Sequence, residues 1–233
     1  MNWFLDMCII LYYSSEDELL SKKTLKFIKD NQEKSQKDQE DNQENKKNNQ
    51  ENNFLVCYYI AEIDLPKYLR RQKILIHEVV KKMTDNLYVI GSSDEGFLLY
   101  PKDKIKAEKL FLKSSFLKNK TELIEFMNKL NQIQIKQENK INFFIEKKAK
   151  KVIPVSEIDS ELKGSLFLYI GNMSDAKILT SGIQQYNKDN KEGLVLLTAD
   201  KKDWTNENLN VAIDNKLSKK YPKIPKIEYI QDM

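Results

Sequence analysis

Two apolar runs, each holding an aspartate within it or at its end, constrain this chain most. Asp6 lies in Trp3-Phe4-Leu5-Asp6-Met7-Cys8-Ile9-Ile10-Leu11, and Leu194-Val195-Leu196-Leu197-Thr198-Ala199 leads into Asp200. Runs with no polar face belong to strands covered by other elements on both sides. Around the second run the pattern alternates. Ser174 caps a helix through about Tyr186, Gly193 precedes the strand 194–199, a helix covers 206–220, and 227–230 closes as a strand. This rhythm predicts an α/β fold with a central parallel sheet flanked by helices. In such sheets functional groups collect at the carboxyl ends of the strands.

Earlier segments read less regularly. Residues 3–13 predict one buried strand with Asp6 inside it or at its end. Ser14 or Ser15 then caps a helix with Glu16, Asp17 and Glu18 in its first turn, where the helix dipole favours anions. Leu19, Leu20, Leu25, Phe27 and Ile28 supply its buried face. Residues 54–83 are apolar at helical spacing and interrupted by Pro66, which should break or kink the helix. Short strands are expected at 87–90 and 96–100, and two or three helices over 102–148. A strand over 152–155 is followed by a helix that Ser156 opens and that runs to about Leu168.

Residues 29–53 hold no apolar side chain, so nothing there offsets the entropy of ordering. This stretch reads as a low-complexity polar insertion, either a loop or an exposed helix extension. The reading for 1–233 is thus a single α/β domain carrying two insertions, 29–53 and the helical 102–148.

Composition narrows the chemistry. One histidine and two cysteines leave no material for a histidine-based metal site, a Ser-His-Asp triad or a four-cysteine zinc site. Six glycines and the absence of a phosphate-cradling glycine motif exclude a Gly-rich dinucleotide loop. His77 reads as a packed or surface residue, and Cys8 and Cys57 as small core residues. The apolar start is too short to span a bilayer and carries no basic leader, so the expectation is a cytoplasmic protein without a membrane partner. Acid–base or metal chemistry must then rest on carboxylates.

Four carboxylates sit where a buried sheet would not place them idly. Asp6 and Asp200 end apolar strands, Asp175 lies in the first turn of a helix beside Ser174, and Glu62 stands in the otherwise apolar Tyr58-Tyr59-Ile60-Ala61-Glu62-Ile63. A carboxylate so placed needs a donor, a cation or a metal. With so little histidine, a hard divalent cation on oxygen ligands is the natural candidate.

Taken in order, these blocks resemble the PIN-domain family of metal-dependent ribonucleases, which includes the VapC toxins. Trp3-Phe4-Leu5-Asp6-Met7-Cys8-Ile9-Ile10 looks like the first motif and Tyr59-Ile60-Ala61-Glu62-Ile63 like the second. Ser174-Asp175-Ala176-Lys177-Ile178-Leu179-Thr180-Ser181-Gly182-Ile183 is similar to the third, and Val195-Leu196-Leu197-Thr198-Ala199-Asp200-Lys201-Lys202-Asp203-Trp204 to the fourth. The resemblance implies a three-layer α/β/α PIN-like fold and phosphodiester hydrolysis of RNA. It implies Mg²⁺ or Mn²⁺ held by Asp6, Glu62, Asp175 and Asp200, with Asp203 as a further metal ligand. An antitoxin-like or other protein partner and a homodimer fit the toxin branch. Where the family usually carries hydroxyl or amide side chains after the first aspartate, Met7 and Cys8 stand here, which removes that support near the metal. The competing class is a catalytically impaired PIN-like module that binds RNA or protein. Basic clusters at Arg70-Arg71-Lys73, Lys147-Lys148-Lys150-Lys151 and Lys219-Lys220-Lys223 offer phosphate contacts to either.

Overall fold

The computed structural model describes residues 2–15, 19–40, 53–114, 116–117, 119–188, 193–213 and 217–233. The chain divides into two compact units, Met1–Asp64 with Lys140–Met233, and Leu65–Asn139.

The first unit is built on a parallel sheet. β1 (Asn2–Leu5) leads through Asp6 into α1 (Met7–Ser14), and α2 (Leu19–Glu40) follows before β2 (Phe54–Cys57). The expected strand over 3–13 therefore ends at Leu5. Its apolar continuation is a helix burying Ile9 and Ile10, because an apolar run does not by itself distinguish a buried strand from a buried helix. Ser15 closes α1 rather than opening α2. The acids Glu16, Asp17 and Glu18 lie outside the described residues. α2 carries helix into the polar insertion as far as Glu40, and 41–52 also lie outside the described residues.

The buried face of α2 differs from expectation. Ile28 is buried as expected, but Leu19 and Leu25 are exposed, and Ser21 and Thr24 are buried with Ile28 instead. These three share one face at helical spacing, and Thr24 can enter the core because its hydroxyl donates to its own helix at Leu20 O, 2.7 Å.

Residues 54–57, expected as helix, form the fully buried strand β2 between two sheet neighbours, so pairing overrides the helical spacing. A π-helical turn, Ile60–Asp64, follows it.

The second unit begins with α3 (Leu65–Thr84) and continues through α4 (Pro101–Ser114) into α5 (Lys120–Phe143). Pro66 follows directly on the π-helical turn Ile60–Asp64 in a helical run, 58–84, that does not break at it; the wider turn just before it accommodates the missing N–H. Ile74, Leu75, Ile76, Val79, Ile90, Leu99 and Ala107 form this unit's core. The strands expected at 87–90 and 96–100 are turns and a 3-10 helix, Gly96–Leu98. The reason is Glu78, a buried carboxylate on α3 around which this loop folds. Glu78 accepts from the Tyr88 hydroxyl at 2.8 Å, Gly91 N–H at 2.6 Å and the Ser93 hydroxyl at 2.6 Å. Burial alone would raise its pKa, but these donors and Lys81 together hold it below the ordinary value.

The sheet resumes with β3 (Ala149–Val152), three residues ahead of the strand expected at 152–155. α6 (Ser160–Ile170) is capped by Asp159, which accepts from Leu162 N–H at 2.8 Å, and not by Ser156. Asp159 also takes the Tyr221 hydroxyl and the Lys220 ammonium. α7 (Met173–Lys188) begins after Asn172, whose Oδ1 accepts from Ser174 N–H at 3.0 Å, so Asn172 does the capping expected of Ser174. β4 (Leu194–Thr198) is followed by α8 (Asn206–Ala212), α9 (Leu217–Lys220) and β5 (Lys226–Tyr229). The single helix expected over 206–220 is thus two, with 214–216 outside the described residues.

All pairings in the sheet are parallel and the strand order is β3-β2-β1-β4-β5. Successive side chains on a strand point to opposite faces. Trp3 meets Phe27 of α2 edge-on at 4.8 Å, and Phe27 in turn meets Phe54. Phe4, on the other face, lies under α7, where Gly182 comes so close that a Cβ would stand 2.7 Å from Leu196 Cδ2 and 3.3 Å from Phe4 Cδ1. Helices therefore cover both faces, as the α/β reading with a central parallel sheet expected. No described helix is long and apolar enough to cross a membrane.

Because Gly182 sets the distance between α7 and the central strands, Gly182→Val should lower unfolding stability by about 2 kcal/mol through overpacking. A urea melt checks this, the midpoint falling at unchanged slope. A midpoint equal to wild type would show that α7 does not sit this close to β1 and β4.

Candidate metal centre

The order β3-β2-β1-β4-β5 carries the chain away from β1 in one direction through β2 and in the other through β4. The carboxyl ends of β1 and β4 therefore flank the topological switch point, where open α/β sheets form their clefts. Asp6 and Asp200 stand there.

Thr198, the last residue of β4, ties the two acids together. Its hydroxyl donates to Asp6 Oδ2 at 2.7 Å and accepts from Asp200 N–H at 2.9 Å. Cys8 completes the link. Its thiol donates to the same Asp6 Oδ2 at 2.8 Å and accepts from Ala199 N–H at 3.1 Å. The loss of support expected from Met7 and Cys8 is therefore not what the geometry gives, because the Cys8 thiol does the work of a hydroxyl. Burial and the neighbouring Asp6 charge push the Cys8 thiol up, so it remains a protonated donor. Asp6 is buried, and that burial raises its pKa despite the bonds from Cys8 and Thr198. Cys57, pushed up to about 12 by burial, is an inert core thiol.

The loop after β4 is shaped by Asp200 itself. Its Oδ1 accepts from Lys202 N–H at 2.8 Å and Asp203 N–H at 3.1 Å, a side-chain-closed turn that brings Asp203 back toward the strand end. Opposite, the start of α7 presents Asp175, to whose Oδ2 the Asn172 amide donates. Carboxylate oxygens of Asp175, Asp200 and Asp203 all lie within 4.8 Å of one another. Burial first, then the charges of Asp6, Asp200 and Asp203, push the Asp175 carboxyl up to about 7. Three converging hard oxygen donors, whose mutual repulsion a cation would relieve, could hold a metal ion.

Of the sequence-predicted residues, Asp175, Asp200 and Asp203 come together, and Asp6 lies close enough for its charge to be felt at Asp175. Glu62 is exposed and stands outside the three-aspartate group. The acid of its π-helical turn that reaches toward the start of α7 is Asp64, which accepts from the Ser174 hydroxyl at 3.5 Å. Helical phase was the missing signal: two residues along a helix is about half a turn, so Asp64 and Glu62 point to different sides. Sequence reasoning also missed Trp204, buried beside Asp175. His77 is exposed.

The basic clusters are partly committed elsewhere. Arg71 lies 3.5 Å from Asp103 and stacks over Tyr100, Lys73 pairs with Glu138, and Lys220 pairs with Asp159. Lys147 and Lys150 are exposed, Lys151 sits over the Tyr58 ring, and Lys177 of α7 lies 4.3 Å from the Tyr59 ring centroid.

Fold and site together define an α/β protein with an aspartate cluster at the switch point of a parallel sheet. No protein-family model matches the chain, nor does any curated protein or solved structure.

The raised Asp175 pKa makes stability depend on pH with a definite sign. Above about pH 4 the unfolded chain has released this proton, while the folded chain keeps it until about 7. In that window the native state binds more protons, so stability falls as pH rises from about 4 to about 7. Melting temperatures in metal-free buffer should show this fall. Asp175→Asn should flatten the fall, Asp6 acting with the same sign. Superimposable profiles for the two proteins would contradict the burial and repulsion described for Asp175.

Proposed function

We propose that this chain is a divalent-metal-dependent endoribonuclease that hydrolyses phosphodiester bonds at the aspartate cluster. The observation that carries the reading is the convergence of Asp175, Asp200 and Asp203 within 4.8 Å at the carboxyl edge of a parallel sheet. RNA as the substrate rests on the resemblance of the four acidic blocks to PIN-domain ribonucleases, and a polyanion suits a chain of net charge +4.

In this reading Asp175, Asp200 and Asp203 hold Mg²⁺ or Mn²⁺. When bound, such a cation lowers the pKa of water and neutralises charge on a phosphoryl group. The chain's own residues do the rest. Asp6, fixed by Thr198 and Cys8, adds negative charge behind the cluster and strengthens its hold on a cation. Asp175 binds in its charged form, so loading releases the proton it retains near pH 7. The first turn of α7, which carries Asp175, brings the positive end of its helix dipole to the cluster, where it would favour a phosphate.

Labelled single-stranded RNA should be cleaved with Mn²⁺ or Mg²⁺ and left intact with EDTA. Asp200→Ala should slow cleavage by more than about 100-fold, the scale on which one charge-stabilising group contributes. Metal-independent binding without cleavage, unchanged in the variant, would overturn the enzyme and favour a binding module.

A further inference from the structure

Trp204 is fully buried, and its indole Nε1–H reaches no acceptor among the described residues in full hydrogen-bond geometry, although it lies close enough to the Asp175 carboxylate to act on it as a weak donor. Buried donors without partners are rare in folded proteins and call for a physical reason. This one follows Asp203 directly in the chain and lies near enough to Asp175 to favour that carboxylate's charged form. The ring cannot turn away easily. Its own carbonyl accepts from the Tyr229 hydroxyl at 2.6 Å, the turn before it is closed by Asp200, and Thr205 after it caps α8 through Asn208 N–H at 3.1 Å. Full burial also excludes a surface role such as stacking on a nucleic-acid base.

A donor held against a cluster of acids is useful only to an oxygen that comes to it. Each carboxylate has two oxygens, and one bound to a cation leaves the other needing a donor. We propose that Trp204 is the positioning residue of Asp175: when the cluster holds a divalent cation, the indole N–H donates to the Asp175 oxygen that does not face the ion. Asn172 and Trp204 then orient the same carboxylate with two donors. The inference rests on the metal-site reading above and adds to it a named partner outside the ligand set. In metal-free protein the contact is already felt at Asp175 but falls short of full hydrogen-bond geometry, and in this proposal loading tightens it.

The chain has only two tryptophans, which gives the test an internal control. Trp3 already donates its indole N–H to Asn31 Oδ1 at 3.2 Å, on β1. In a ¹H–¹⁵N spectrum of the full chain the two indole cross-peaks are assigned with Trp204→Phe, or by elimination with Trp3→Phe if the first variant does not fold. Titration with Mg²⁺ should move the Trp204 peak downfield and slow its solvent exchange, while the Trp3 peak stays. Trp204→Phe, which keeps an aromatic ring but removes the N–H, should bind Mg²⁺ about 10–100-fold more weakly by calorimetry, the range seen when a ligand's outer partner is lost. If wild type binds Mg²⁺ but the Trp204 peak does not move, or the Phe variant binds as tightly, the positioning role is overturned and the metal site stands. If wild type binds no Mg²⁺, both fall together.

Discussion

The hydroxyl of Thr198 is the smallest part of this structure and the one on which the site depends. It joins two strands at their ends, donating to Asp6 after β1 and accepting from the backbone N–H of Asp200 after β4. Parallel pairing of β1 with β4 places those ends side by side, with Leu5 opposite Leu197. Cys8 doubles the tie by bridging Asp6 and Ala199 N–H. A buried carboxylate without donors would be strongly disfavoured. With two side-chain donors on one oxygen, Asp6 can remain buried while its charge acts on the neighbouring acids.

The cluster is an electrostatic liability that the surrounding fold sustains. Asp175 feels Asp6, Asp200 and Asp203 and keeps its proton near neutrality. The strands beneath are fully buried, with Phe4, Leu5, Leu196 and Leu197 covered on both sides. Close approach of α7 through Gly182 fixes where Asp175 begins relative to the strand ends. Glu78 in the second unit shows the opposite treatment of a buried acid. Tyr88, Gly91 and Ser93 supply donors from one loop, so Glu78 is held in its charged form as a structural anchor. The comparison separates a carboxylate satisfied within the protein from carboxylates whose arrangement leaves charge for something else to balance.

Much of this was legible in the residues. The α/β class followed from apolar runs alternating with helices, and Asp200 was placed at a strand end because its run stops there. Other features were not legible for definite reasons. An apolar run continuing past Asp6 reads equally as strand or helix until its partners are known. Phe54–Cys57 carries helical spacing, yet sheet pairing on both sides decides it. Caps shifted because Asp159 and Asn172 compete with nearby serines and have the longer reach. Glu62 was chosen for its place in a motif, but a π-helical turn resets the phase of side chains and turns Asp64 toward α7 instead. The value of Cys8 lay in a contact between residues 191 apart, which no local pattern encodes.

The central claim is that Asp175, Asp200 and Asp203 form one cation site at the switch point of the sheet. Anomalous diffraction from crystals grown with Mn²⁺ above pH 7, where Asp175 is charged, tests it most directly. The expected result is a peak about 2.1 Å from oxygens of all three aspartates. A well-ordered cluster with no peak, or Mn²⁺ bound only at other carboxylates of the chain, would contradict the account.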